Sequence, residues 1–307
     1  MTTLLFTGDI IPVRCTYARL QALDDYNAPF VPLHDVLAGA DITIGSLDTT
    51  ISRSARPIGC TPTFNLAAPA QAADGLAYAG FDVMAHAANH IKDCGAVRCG
   101  DASMLETIEI LRAKGIATTG SGATVVAART PAVLTRDGVR IAFLAYDDIA
   151  SYYHANTVTA GSAPLDSATV GDDIAAARRV ADFVVVMPHW GVEYTANPTS
   201  RQREFARAAA AGGADLIVGN HPHWVQAHEE IGETFVAYAL GNFVFDQDWS
   251  LETQQGAMLE VSLTGAEITG TRYIPVHIYD EYQPRLAPPD EAAAIIARIE
   301  NASAALR

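Results

Sequence analysis

Five short apolar runs in this chain each end on a residue able to bind a metal ion. Asp9 follows LLFTG, Asp48 follows ITIGS, and Asn89 and His90 follow DVMAHAA. His189 follows FVVVMP, while His221 and His223 follow DLIVG. A single histidine is most often a polar residue satisfied by its neighbours, but the same coincidence at successive strand ends is a pattern. Carboxylate, amide oxygen and imidazole suit Mn, Fe, Zn or Mg, and no cysteine stands among them. The expected cofactor is therefore one or two divalent metal ions, with Mn, Fe or Zn foremost. Two ions sharing a carboxylate can lower the pKa of a bound water and clamp both the entering and the leaving oxygen. A neighbouring histidine that is not itself a ligand could then protonate the leaving group.

Such a set converges only if the runs are strands whose ends meet. Ligands of open α/β sheets bind outside the carboxyl ends of the parallel strands. The pattern predicts strands at 3–7, 41–45, 81–85, 139–146, 183–187 and 215–218, and helices at 16–24, 69–79, 101–114, 172–181 and 199–211. That alternation implies βαβ crossovers and parallel pairing. From about Trp224 the helices stop, and strand-like pieces at 224–231, 234–240, 257–263 and 269–277 predict an antiparallel region before a last helix at 290–306. With no internal repeat, low-complexity linker or clear boundary, residues 1–307 are expected to form one domain, α/β in class.

Composition narrows the partners. Half of the 307 residues are hydrophobic, 18% are charged, and the formal net charge is -15. A surface that acidic repels phosphate backbones, so nucleic acid is not an expected partner. The opening MTTLLFTGDIIPV lacks the features of a secretory signal, and no run approaches the ~20 apolar residues of a membrane span. A cytoplasmic location is the resulting expectation. Cys15, Cys60, Cys94 and Cys99 form no CxxC pair; Cys94 and Cys99 flank a glycine-containing loop and could meet, but free thiols are expected in a reducing cytoplasm.

Longer motifs carry a resemblance. PHWGVEY at 188–194, Pro198, Gln202, GADLIVGNHPHWVQ at 213–226 and YALGNFVFD at 238–246 are similar to the signature of the CapA family, named for capsule poly-γ-glutamate synthesis. TGDIIPVR at 7–14, ANHIKDCG at 88–95 and IPVHIYDEYQPR at 274–285 extend it over nearly the whole chain. CapA proteins resemble calcineurin-like metallophosphoesterases, which implies two packed mixed β-sheets flanked by helices. By that resemblance Asp9, Asp48 and His223 hold one metal, and Asp48, Asn89, His189 and His221 the other, with His90 as the acid. Three departures bear on this. Ile11 stands where the phosphoesterases have a histidine ligand, Ser46-Leu47-Asp48 replaces Asn-Leu-Glu with a shorter carboxylate, and Ala88-Asn89 replaces a pair of asparagines.

Further residues are weighed around this set. Arg14 matches a frequent family arginine and either grips an anionic group or makes a surface salt bridge. Glu193 and Tyr194 follow the His189 strand end closely enough to line a substrate pocket. Asn242 is read as fixing a turn, His86 as a core residue or a support behind the ligands, and His34, His154 and His228 as structural or exposed. His277 and Arg285 lie in the matched tail and could reach the site. Two functions fit. One is metal-assisted hydrolysis of a phosphoester or a glutamyl-type amide, on a small acidic metabolite or a glutamyl- or phosphate-containing substrate. The other is a non-catalytic, accessory metal-binding part in the synthesis or export of poly-γ-glutamate.

Overall fold

A computed structural model of the protein describes residues 1–94 and 100–306. Two large sheets dominate it. The first runs Gln283–Leu286, Glu267–Tyr279, Gln255–Thr264, Thr2–Ile10, Ile42–Leu47, Val83–Ala85 and Ala117–Thr119, with Asn242–Val244 added beside Thr2–Ile10. The second runs His228–Ile231, Thr234–Ala237, Leu216–Val218, Phe183–His189, Val139–Asp147 and Ala132–Arg136.

The central strands are rich in apolar residues and almost wholly buried, the mark of parallel strands covered on either side. Successive residues point to opposite faces. Leu4 and Phe6 therefore enter the core between the sheets, with Ile44, Phe143, Phe183 and Val185. Leu5 and Ile10 enter an outer core shared with Leu76 and Leu111, from the helices Ala72–Tyr78 and Gly100–Ala113. On the far side, Val184 and Val186 pack with Ile174 and Phe205, from the helices Val170–Arg178 and Ser200–Ala211. The result is two mixed sheets face to face, with helices outside each.

The expected parallel pairing holds. Thr2–Ile10, Ile42–Leu47, Val83–Ala85 and Ala117–Thr119 are parallel in sequence order. So are Val139–Asp147, Phe183–His189 and Leu216–Val218. The region after Trp224 is not uniformly antiparallel, however. Thr234–Ala237 runs parallel to Leu216–Val218, and Asn242–Val244 parallel to Thr2–Ile10. His228–Ile231 and Thr234–Ala237 do pair antiparallel, as do the successive strands Gln255–Thr264, Glu267–Tyr279 and Gln283–Leu286. The physical reason is that the two parallel pieces are four and three residues long and take their direction from the distant strand each docks against, about which local alternation of side chains says nothing.

The cysteine expectation is overturned. Cys15 and Cys60 are joined in a disulfide across 45 residues of sequence, and Cys94 is also disulfide-bonded. Cys99 lies outside the described residues. No CxxC spacing is needed, because Cys15 lies in the first turn of the helix Arg14–Leu23 and Cys60 within a loop that the fold brings against it. Among the described residues no helix is long and apolar enough to cross a membrane.

Candidate metal centre

Register places the first acidic residue. Asp9 pairs with Ser46 on one side and with Asn242 on the other. Gly8 lets the chain through: a Cβ there would lie 2.1 Å from the Gly241 carbonyl oxygen, and the neighbouring Asp9 N–H donates to that oxygen at 2.9 Å. The Asp9 carboxylate is wholly buried. Its Oδ1 accepts from the Ser46 hydroxyl at 3.0 Å, and its Oδ2 from the His221 backbone N–H at 3.1 Å. That second bond ties the two sheets together at their carboxyl edges.

Asp48 lies just past the next strand and is equally buried. Its Oδ1 accepts from the His90 backbone N–H at 3.2 Å, while its Oδ2 has no hydrogen-bond partner. Burial pushes this carboxyl up to about 7; His90 works against that shift and Asp9 adds to it. A buried carboxylate with a bare oxygen is costly unless a cation meets it.

The second sheet supplies imidazoles to the same place. His189 ends its strand with Nε2 donating to Asn89 Oδ1 at 2.7 Å, 3.8 Å from Asp48 Oδ2, and with Nδ1 3.9 Å from Asp9 Oδ1. It thus sits between the two carboxylates and not beside one alone. That Nδ1 has no hydrogen-bond partner, and neither has Nδ1 of His221. The His221 ring centre lies 4.8 Å from His189 and 5.8 Å from His223. His223 Nδ1 donates to Asn242 Oδ1 at 2.8 Å and lies 3.5 Å from Asp9 Oδ2. Burial holds His189 and His221 well below the ordinary imidazole value, and neighbouring histidines add to the effect, so both are neutral and able to donate a lone pair. His221 and His223 hold positive φ angles of 99° and 58°. Such backbone costs about 1–3 kcal/mol per residue and gathers at functional sites.

All six expected ligands, Asp9, Asp48, Asn89, His189, His221 and His223, are therefore brought together. Three buried atoms among them lack any partner: Asp48 Oδ2, His189 Nδ1 and His221 Nδ1. This donor set suits a divalent transition metal. Ile11 contributes nothing to it. Its side chain is fully buried in the outer core of the first sheet, with Leu47 and Val244.

His90 stands at the rim. Its Nδ1 donates to Asp93 Oδ2 at 2.6 Å, and Asp93 in turn accepts from the Tyr153 hydroxyl at 3.1 Å and the Leu66 N–H at 2.8 Å. Burial alone would lower the His90 pKa, but the carboxylates of Asp48, Asp93 and Glu193 outweigh it, and the imidazole is held above its ordinary value. A cavity of about 850 Å³ opens beside Asp93, between Lys92, Tyr152 and Tyr153.

The remaining candidates divide. Arg14 makes the salt bridge, not an open anion grip: its Nε donates to Asp246 at 3.0 and 3.2 Å, Nη2 pairs with the same carboxylate, and the guanidinium lies over Phe245. Glu193 is exposed, and its carboxylate lies within 4.8 Å of the ligand atoms of His221 and His223. Tyr194 stacks on His223, with ring centres 6.3 Å apart, and its edge meets the exposed Trp249. His277 bonds to Glu291 and Arg285 to Gln283, away from the cluster. His86 is buried and bonded to Ser121, as its core reading expects.

Three supporting residues escape a reading by strand ends. Asn242 fixes which His223 nitrogen carries the proton, a role second to its turn bonds to Gln247 and the Thr253 carbonyl. Asp93 does the same for His90. Gln202 caps its helix through Thr199 and donates to Gln226, whose amide donates to the Thr195 carbonyl and so braces the loop bearing Glu193. The carboxyl side chain three residues after His90 was the one available signal.

Comparison with known proteins places the chain among relatives. The family model described as "Bacterial capsule synthesis protein PGA_cap" matches residues 3–247. The PGA biosynthesis protein CapA of Bacillus subtilis is 28% identical over 90% of this chain and 71% of its own length. The capsule biosynthesis protein CapA of Bacillus anthracis is 31% identical over 70% of this chain, which spans 52% of that relative. Among solved structures, NAD nucleotidase of Haemophilus influenzae superposes with a TM-score of 0.53 at 13% identity, covering 98% of this chain and 62% of the nucleotidase. At that identity the likeness concerns the fold alone, two packed mixed sheets flanked by helices.

Proposed function

The chain belongs to the family of bacterial capsule synthesis proteins PGA_cap, and on that premise we propose that it is a metal-dependent hydrolase acting on a phosphoester or a glutamyl-type amide. The observation that carries this is the meeting of Asp9, Asp48, Asn89, His189, His221 and His223 around three buried polar atoms without partners. Asp9, Asp48 and His223 would hold one ion, and Asp48, Asn89, His189 and His221 a second; Mn, Fe and Zn suit these donors best. A divalent ion held there supplies Lewis acidity toward a phosphoryl or carbonyl oxygen and makes water a nucleophile at neutral pH.

The chain's own residues complete the chemistry. Asp93 holds the His90 Nδ1 proton, so Nε2 is the atom that delivers a proton to the leaving oxygen or nitrogen. Tyr153 and the Leu66 amide keep Asp93 in place. The groove beside Asp93 gives room for a substrate larger than a single phosphate; Lys92 at its edge is paired with Asp101 and bonded to the Ala160 carbonyl.

His90→Ala tests the assignment. Turnover should fall about 10²–10⁴-fold on unactivated esters or amides, with metal content unchanged and a smaller loss on nitrophenyl esters, whose leaving group needs little protonation. Equal losses on both would remove His90 from the acid role. The core position of Ile11, where the phosphoesterases have a ligand, favours a second reading as a non-catalytic metal-binding component of poly-γ-glutamate synthesis or export. A metal-loaded protein that turns over no phosphoester or glutamyl amide would favour it.

The disulfides bear on where the protein acts. Bonds such as Cys15–Cys60 persist in oxidising compartments, which argues against the cytoplasmic location expected from the N-terminus. Thiol labelling of the protein taken from cells without reductant should find Cys15 and Cys60 protected; free thiols at both would restore the cytoplasmic reading.

A further inference from the structure

We infer that Glu193 is a metal ligand, supplying from the loop after Phe183–His189 a donor to an ion that His221 and His223 would share, in place of the division of these two histidines between separate ions that the family resemblance implies. This rests on the metal-centre reading above and adds to it a residue outside the six expected ligands.

One ligand atom from each of Glu193, His221 and His223 lies within 4.8 Å of the others. Ligands on one such ion, at about 2.0–2.2 Å each, stand at most about 4.4 Å apart. Closing the difference takes a few tenths of an ångström per side chain, within reach of a small torsional adjustment. The imidazoles are already presented. His223 is oriented by its Nδ1 bond to Asn242, and His221 Nδ1 is buried without a partner. Among the described residues, a second group of possible ligands, Cys15, Cys60 and Glu281, is closed by the disulfide.

The loop holds Glu193 to this place. The Tyr194 N–H donates to the Pro222 carbonyl at 2.9 Å, which ties the loop directly to the His221–His223 turn. Gly191, at φ 93°, packs against the Gln202 side chain, and Gln202 and Gln226 fasten the loop from below. Charge argues the same way. A free carboxylate at the mouth of a site for anionic substrates would repel them, whereas one bound to a cation is neutralised. Ile11 cannot fill the shell, because its side chain is locked in the apolar core. Glu193 would thus restore a protein ligand lost at one end of the site, from an exposed position where exchange with solvent is easy.

The test is calorimetric titration of the metal-free full chain with Mn²⁺, for the parent, Glu193→Gln and Asp48→Asn, repeated in high salt. Supporting groups around metal ligands are worth roughly 10–100-fold in affinity, so Glu193→Gln should weaken Mn²⁺ binding by at least about 10-fold while the thermal midpoint of the metal-free protein stays at the parent value. The deficit should persist at about 1 M salt, where the Debye length is about 3 Å and charges acting at a distance are screened. Parent-like affinity in Glu193→Gln beside a defective Asp48→Asn would overturn the ligand role and leave the metal centre standing. A deficit that vanishes in salt would overturn it too, reducing Glu193 to a remote charge. A parent that takes up no Mn²⁺ would bring down both.

Discussion

The two sheets reach the same point by different means. The first delivers its oxygen donors through strand register: Asp9 sits opposite Ser46 and Asn242, and Asp48 follows its strand by one residue. The second delivers imidazoles from turns. His189 ends a strand, but His221 and His223 occupy left-handed backbone and depend on Asn242 and the Tyr194–Pro222 link for their aim. A ligand on a register-locked strand is fixed by the hydrogen bonds of the sheet, which many other residues share. A ligand on a strained turn is fixed by a few side chains, each of which can be removed singly. The carboxylate side should therefore tolerate distant changes, and the imidazole side should be sensitive to them.

The largest effect should come from the carboxylate side itself. Asp48→Asn keeps an oxygen to accept the His90 N–H but removes the charge, so the fold should persist while metal affinity drops by more than about 100-fold, beyond the range of supporting residues. Parent-like metal content in that variant, measured by elemental analysis beside circular dichroism, would break the assignment at Asp48.

A smaller loss is expected at Asn242. Asn242→Ala frees the His223 ring and should cost about 10–100-fold in metal affinity, whereas Asn242→Asp, which still accepts from Nδ1, should lose much less. Similar losses in both would mean that the residue acts through its bonds to Gln247 and Thr253, and the contrast between the sheets would lose its best example.

How much of this is legible in the sequence follows the same division. Strands buried on both faces read directly as apolar runs, so their ends, and with them Asp9, Asp48, Asn89, His189, His221 and His223, stand out. Asn242 does not, because its partner is 19 residues away and its strand is three residues long. The parallel docking of that strand on Thr2–Ile10 joins segments far apart in sequence and leaves no local trace. The Cys15–Cys60 bond is silent for the same reason, spanning 45 residues with no motif spacing. The role of Ile11 was legible only as a departure; that it belongs to the apolar core required the fold.

The central claim is that the meeting of the two sheet edges is a metal centre. Elemental analysis of the full chain, purified without chelators, tests it most directly, followed by titration of the stripped protein with Mn²⁺ and Zn²⁺. The protein is expected to carry one or two equivalents of Mn, Fe or Zn per chain, regained on titration after stripping. No transition metal in the purified protein and no uptake by the stripped one would contradict it.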